Sequence, residues 1–159
     1  MKIQSQKNSK LTSLIRRILV PIDFSEHSKN ALAYAASLAE LFKAELLLVY
    51  VVEQILYPAD FGFGQAAPPI VVQELRQRSE KELDKLLHLP ILKNLTARSC
   101  VRAGNPYLEI ISTAEEEQID LIIIATHGHT GVEHLLFGST AEKVVRKAPC
   151  PVLVVRPTF

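Results

Sequence analysis

The sequence predicts an α/β fold, and three observations carry that prediction. Apolar runs alternate with helix-period patterns from one end of the chain to the other. The runs Leu46 to Val52 and Leu121 to Ala125 are continuously apolar, as strands covered on both faces must be. The second of these leads into a glycine-punctuated segment and then an amphipathic helix, Ala141 to Ala148. Strict alternation of strand and helix implies a parallel sheet with right-handed crossovers and helices on both faces.

The elements follow in order. Ile18-Leu19-Val20 forms the first strand. Residues 25 to 43 form a helix with Ala31, Ala35, Leu38, Ala39 and Phe42 on one stripe and Ser25 placed to cap it. Leu46 to Val52 is the second strand. Residues 53 to 69, with Pro58, Gly62, Gly64, Pro68 and Pro69, read as a loop longer than most connections, either functional or mobile. Val71, Leu75, Leu83 and Leu86 mark a second helix. Residues 96 to 102 fit a third strand. Asn105-Pro106 then opens a third helix, with Asn as N-cap and Pro in the first turn. Leu121 to Ala125 is the fourth strand. Ser139-Thr140-Ala141-Glu142 fits a capping box for the last helix, whose apolar face is Ala141, Val144, Val145 and Ala148. Pro149 ends it, and Val152 to Val155 is a fifth strand. The expected molecule is a single doubly wound, Rossmann-like domain with a five-stranded parallel sheet and four helices, spanning residues 17–159 behind a basic tail, residues 1–16.

Bulk properties narrow the function. The chain has 159 residues, 48% hydrophobic and 22% charged, with a formal net charge of +1. That length supports one self-sufficient core. The near-neutral charge provides no general attraction for nucleic acid or acidic membranes, and no apolar run approaches the roughly 20 residues of a membrane span. Cys100 and Cys150 form no CxxC pair and fit reduced thiols in a cytoplasmic protein. Lys2, Lys7, Lys10, Arg16 and Arg17 precede the first acid, Asp23, without the apolar stretch of a secretory signal. The tail reads as solvated chain, with a partner-contacting arm as the alternative.

The chemistry concentrates at Ala125-Thr126-His127-Gly128, followed after nine residues by Gly138-Ser139-Thr140. Amides at a helix start have no acceptor within the helix, the helix dipole adds positive character, and glycine admits a phosphate to the backbone. In parallel sheets, ligands bind beyond the carboxyl ends of the strands, here Pro21-Ile22-Asp23, Val51-Val52-Glu53 and Ala125. Val and Ile at those ends offer an apolar slot for a flat base. The competing readings are that the glycines only turn the chain, that Ser139 only caps a helix, and that Asp23 only caps the first one. His127, His129 and His134 crowd the loop, but no fourth ligand has zinc spacing, so no metal site is expected from the protein alone. No Walker-type lysine follows the glycines, and no general base stands beside a nucleophile.

Two segments, Ile18-Leu19-Val20-Pro21-Ile22-Asp23-Phe24-Ser25-Glu26 and the stretch from Leu121 through THGHTG and GSTAEKVVRKAPCPVLVV, together resemble the universal stress protein family. The resemblance covers nearly all the chain after residue 16. Between residues 53 and 100 it extends only to the type of element. It implies an adenine-nucleotide alpha-hydrolase-like fold, usually dimeric, and in one branch ATP or a related adenine nucleotide bound through Gly-x-x-Gly, nine residues, Gly-Ser/Thr. Here the first glycine is Ala125, which adds one methyl and is compatible with ordinary backbone angles. Carried over position by position, Ile22 and Val51 should contact the adenine, Val51 through its backbone, with Pro21 in the same expected nucleotide-binding set. Asp23 meets the ribose or phosphates, or a Mg²⁺ ion. Gly128 should approach the ribose and phosphates, Gly138, Ser139 and Thr140 should hold the phosphate tail, and Ala125 and His127 complete the expected nucleotide-binding set. The expected function is a cytoplasmic, nucleotide-binding stress-response regulator with at most slow ATP hydrolysis or autophosphorylation. The alternatives are a nucleotide-free dimeric interaction module, which Ala125 favours, and an adenylating or ATP-hydrolysing enzyme. Apolar residues on both faces of the edge strand Val152 to Val155 suggest a homodimer paired along that edge.

Overall fold

A computed structural model of the chain describes residues 15–53, 56–57, 65–66, 69–126 and 138–156. Strand β1 (Arg17–Pro21) leads to helix α1 (Glu26–Phe42) and strand β2 (Glu45–Glu53). Short strands β3 (Leu56–Tyr57) and β4 (Gln65–Ala66) precede helix α2 (Pro69–Leu87). A 3-10 turn (Pro90–Leu92) precedes β5 (Ala97–Gly104) and α3 (Pro106–Glu116). The chain finishes with β6 (Leu121–Ala125), α4 (Ser139–Lys147) and β7 (Val152–Val155). The main sheet has the order β5-β2-β1-β6-β7, and every pairing in it is parallel. The chain moves outward from β1 through β2 to β5, then crosses back to β6 on the other side of β1. The strand order therefore reverses between β1 and β6, where a crevice opens at their carboxyl ends.

Alternation along the strands divides the core into two layers. Ile18 and Val20 of β1 and Ile22 just beyond it, with Leu46, Leu48, Leu121 and Ile123, face α1 and α2, where Ala31, Leu32, Ala35, Ala39 and Leu83 meet them. Leu19, Leu47, Val49, Ile122 and Ile124 face Ile110 and Ala114 of α3 and Ala141 and Val144 of α4 on the other side. β1 is buried on both faces because it is the central strand. The alanine stripe of α1 lets its backbone lie close to the sheet. Ile15 packs against the first layer, and the Arg16 amide donates to Asp120 Oδ2 at 2.8 Å.

Several boundaries differ from those read in the sequence. The segment 53–69 contains the two-residue antiparallel ladder β3–β4, and α2 begins at Pro69. β5 runs on to Gly104. Ser139 is the first helical residue of α4 and not its cap. Gly138 occupies the cap position, so the proposed Ser139–Glu142 capping box does not form. Val145 lies outside the buried stripe of α4 and is 46% exposed. Asn105 is the N-cap of α3, but its side chain makes no capping hydrogen bond. Ser25 caps α1 as expected, accepting from the Ser28 amide.

Candidate functional site

The carboxyl end of β1 is built by a compact polar turn. The Ile22 amide still donates to the Val49 carbonyl at 2.8 Å, which holds the strand end against β2. Phe24 then adopts φ 65, a left-handed conformation that costs a non-glycine residue about 1 kcal/mol or more. Two contacts offset that strain. The Phe24 ring packs on Tyr50 with centroids 4.8 Å apart. Asp23 Oδ1 accepts the Ser25 amide at 3.0 Å and the Ser25 hydroxyl at 2.5 Å. Ser25 Oγ in turn accepts the Ser28 amide at 3.1 Å. Asp23 thus orients the cap of α1 and also lines the cleft.

The carboxyl end of β6 is fixed by backbone. The buried Thr126 accepts the Gly138 amide on its carbonyl at 2.7 Å, while its own amide donates to the Val155 carbonyl at 3.0 Å. This pair of bonds pins the first turn of α4 directly beyond the end of β6. Gly138 has φ −69 and ψ 151, an ordinary extended conformation. The Glu142 amide makes the first bond of the helix, to the Gly138 carbonyl at 3.0 Å. The amides of Ser139, Thr140 and Ala141 therefore have no acceptor within α4. Ala125 belongs to β6, paired with Val155, so its backbone is ordinary strand and accommodates a methyl group without strain.

These ends enclose one cleft of about 490 Å³. Of the residues singled out in the sequence, Pro21, Ile22, Asp23, Val51, Ala125, Gly138, Ser139 and Thr140 all line it. His127 and Gly128 lie outside the described residues, as do His129 and His134. The sequence reading gave no site role to Thr126, Leu75, Pro106 and Ile110, which also line the walls. Thr126 stood inside the very stretch that drew attention. The others belong to elements whose closeness is set only by strand order. Asp23 and Glu53 are the charged side chains in the lining, and among the described residues no lysine or arginine joins them. Any anion held there rests on backbone amides and the α4 dipole. Among the described residues no group of three His, Cys, Asp or Glu is placed to hold a metal ion.

The two thiols stand apart from this chemistry. Burial pushes both Cys100 and Cys150 above the usual thiol range, so neither is an activated thiolate. At the opposite, amino end of the sheet, Arg98 bridges Glu45 at 2.6 Å and Glu117 at 2.7 Å.

A doubly wound parallel sheet with an apolar crevice at its switch point and a helix start beside it defines a class of small α/β domains whose ligand position is that crevice. Comparison with known proteins makes the assignment specific. The universal stress protein family model matches residues 14–156. A universal stress protein of Methanocaldococcus jannaschii is 32% identical over 147 residues, covering 91% of this chain and 84% of its own. One from Methanothermobacter thermautotrophicus is 33% identical over 149 residues, covering 92% of this chain and 99% of its own. Among solved structures, the universal stress protein UspA of Lactobacillus plantarum superposes with a TM-score of 0.74 at 27% identity, over 89% of this chain and 98% of that one. The chain belongs to the universal stress protein family. The same fold occurs in a universal stress protein solved in complex with cAMP, at 17% identity and a TM-score of 0.60 over 91% of this chain and 98% of that one. It occurs again in one from Archaeoglobus fulgidus solved with dAMP, at 20% identity and a TM-score of 0.57 over 89% of this chain and 98% of that one. Among the described residues no helix is long and apolar enough to cross a membrane.

Proposed function

We propose that this protein binds an adenine nucleotide in the cleft between β1 and β6 and acts as a regulator whose state follows that nucleotide. The observation that carries the reading is the meeting, in one cleft, of apolar strand ends with the first turn of α4. Ile22 and Val51 supply a flat apolar wall for a base. Ser139, Thr140 and Ala141 supply amides for the phosphates. Asp23, placed between these regions, is suited to ribose hydroxyls, or to a Mg²⁺ ion shared with the phosphates. The bound cAMP and dAMP of the two structural neighbours support an adenine ligand on this fold. Gly128 and His127 belong to the same proposal through their place in the sequence motif.

The role is binding and not efficient turnover, in line with the lack of a Walker-type lysine after the glycines. Titration of the full chain with ATP and Mg²⁺ by calorimetry tests the proposal. A saturable, one-to-one isotherm is expected. No heat and no competition at millimolar nucleotide refutes it.

The functional unit in this reading is a homodimer. β7 is an edge of the sheet, and its Leu153 side chain is 38% exposed. An apolar edge strand of this kind is protected when a second copy pairs along it.

A further inference from the structure

Tyr107, in the first turn of α3, packs half-buried against the second core layer. Two lysines of α4 lie over its ring. Lys143 Nζ is 4.9 Å from the centroid and Lys147 Nζ is 5.5 Å. Two ammonium groups gathered on one ring repel each other, so the gathering is itself a site of positive potential.

Its position relative to the cleft follows from helix geometry. Lys143 is four residues past Ser139 and three past Thr140, so all three share a face of α4. A helical side chain leans back over the turn before its own Cα, which carries the Lys143 stem toward that first turn. At the far side, Tyr107 follows directly on Pro106, which lines the cleft. Lys143 thus reaches from α4 to the first turn of α3, beside the Pro106 wall of a cleft whose described lining has two carboxylates and no cation.

We infer that Lys143, held on the Tyr107 ring and backed by Lys147, selects nucleotides by their number of phosphates, favouring di- and triphosphates over a monophosphate. This inference rests on the adenine-nucleotide reading of the cleft. The amides of α4 suffice for one phosphate. Further phosphates extend the charge outward, where an ammonium on a flexible stem meets them as a point charge. Tyr107 acts as a positioning residue. It keeps the ammonium near the rim, and it limits the entropy lost when a phosphate is engaged.

Calorimetric titration of the full chain with ATP, ADP, AMP and adenosine, at low and at high salt, tests this. Lys143→Met is expected to weaken ATP about tenfold, the equivalent of one charge-assisted hydrogen bond, with adenosine and AMP changed less than about twofold. It should also flatten the salt dependence of ATP binding. Tyr107→Leu keeps the charge and an apolar side chain against the core, and is expected to lose about threefold for ATP alone. An ATP-to-AMP affinity ratio unchanged in Lys143→Met at low salt overturns the inference and leaves the nucleotide reading standing. A larger loss from Lys147→Met than from Lys143→Met also overturns it. Absence of binding of all four compounds to the parent chain overturns both.

Discussion

Gly138 and Ala125 show what a single Cβ does at this site. The φ of −69 and ψ of 151 at Gly138 suit any residue, so the glycine there is not required by its dihedral angles. What remains is the space above its backbone, next to the first amides of α4. Gly138→Val is therefore expected to fold with a melting temperature close to the parent's while losing at least tenfold in ATP affinity. Equal affinity in the variant would remove the loop from the phosphate site. Ala125 is the converse case, since its strand conformation accepts the methyl. The departure from a glycine at that position thus leaves the cleft intact. Ser25 illustrates a residue whose role is structural. It is linked on one side to Asp23 and on the other to the Ser28 amide, so Ser25→Ala should cost about 1 kcal/mol in chemical denaturation.

At the scale of elements, the strands were legible where a parallel strand covered on both faces is a continuous apolar run, as in the centres of β1, β2, β6 and β7, and less so in the edge strand β5 with Arg98, Ser99 and Arg102. Helix stripes were legible for the same packing reason, with Ala31, Ala35 and Ala39 facing β1 and β6. Helix ends were less so. Just past the ends of α1 and α3, Lys43 and Gln118 are left-handed without being glycines, with φ 56 and φ 50. Local Schellman-type bonds close those ends, the Ile119 amide to the Ala114 carbonyl at 2.9 Å and the Ala44 amide to the Ala39 carbonyl at 2.9 Å, and without a glycine at the left-handed position the residue types do not signal them. The β5–α3 junction hides a further requirement. Gly104 has φ 151, and a Cβ there would lie 2.7 Å from Glu109 Oε1. The carboxylate can swing aside but the backbone cannot, so Gly104→Ala is expected to cost about 1–2 kcal/mol in denaturant titration. A neutral result would mean that the β5–α3 turn relaxes freely. The strand ends and the loop of the candidate site could be read in advance. Pro106, Ile110 and Leu75 could not, because only the order β5-β2-β1-β6-β7 brings α2 and α3 to the same crevice.

For the whole molecule, the candidate site and the Arg98 ion pairs lie at opposite ends of the sheet. The carboxyl end has the cleft, and the amino end has the ion pairs that tie β2, β5 and the end of α3 together. Arg98 holds the Glu117 carboxyl below its usual value of 4.5 through a direct hydrogen bond. A carboxylate whose folded value is lowered contributes stability above 4.5 and loses it as pH falls through the lowered folded value. Arg98→Gln should therefore raise the midpoint of acid unfolding followed by circular dichroism, while stability at neutral pH changes less than cap or core substitutions do. An unmoved acid midpoint would show that the pair contributes nothing. Assembly is tested at the same scale. Light scattering of the parent at micromolar concentration should give twice the chain mass, and Leu153→Lys on the β7 edge should give a monomer. A monomeric parent would remove the edge-paired dimer.

A crystal structure of the full chain grown with ATP and Mg²⁺ tests the nucleotide site most directly. Density for the adenine against Ile22 and Val51, with phosphates on the amides of Ser139 to Ala141, is the predicted result. Saturating nucleotide bound elsewhere, or a crevice filled by the protein's own side chains, would contradict it.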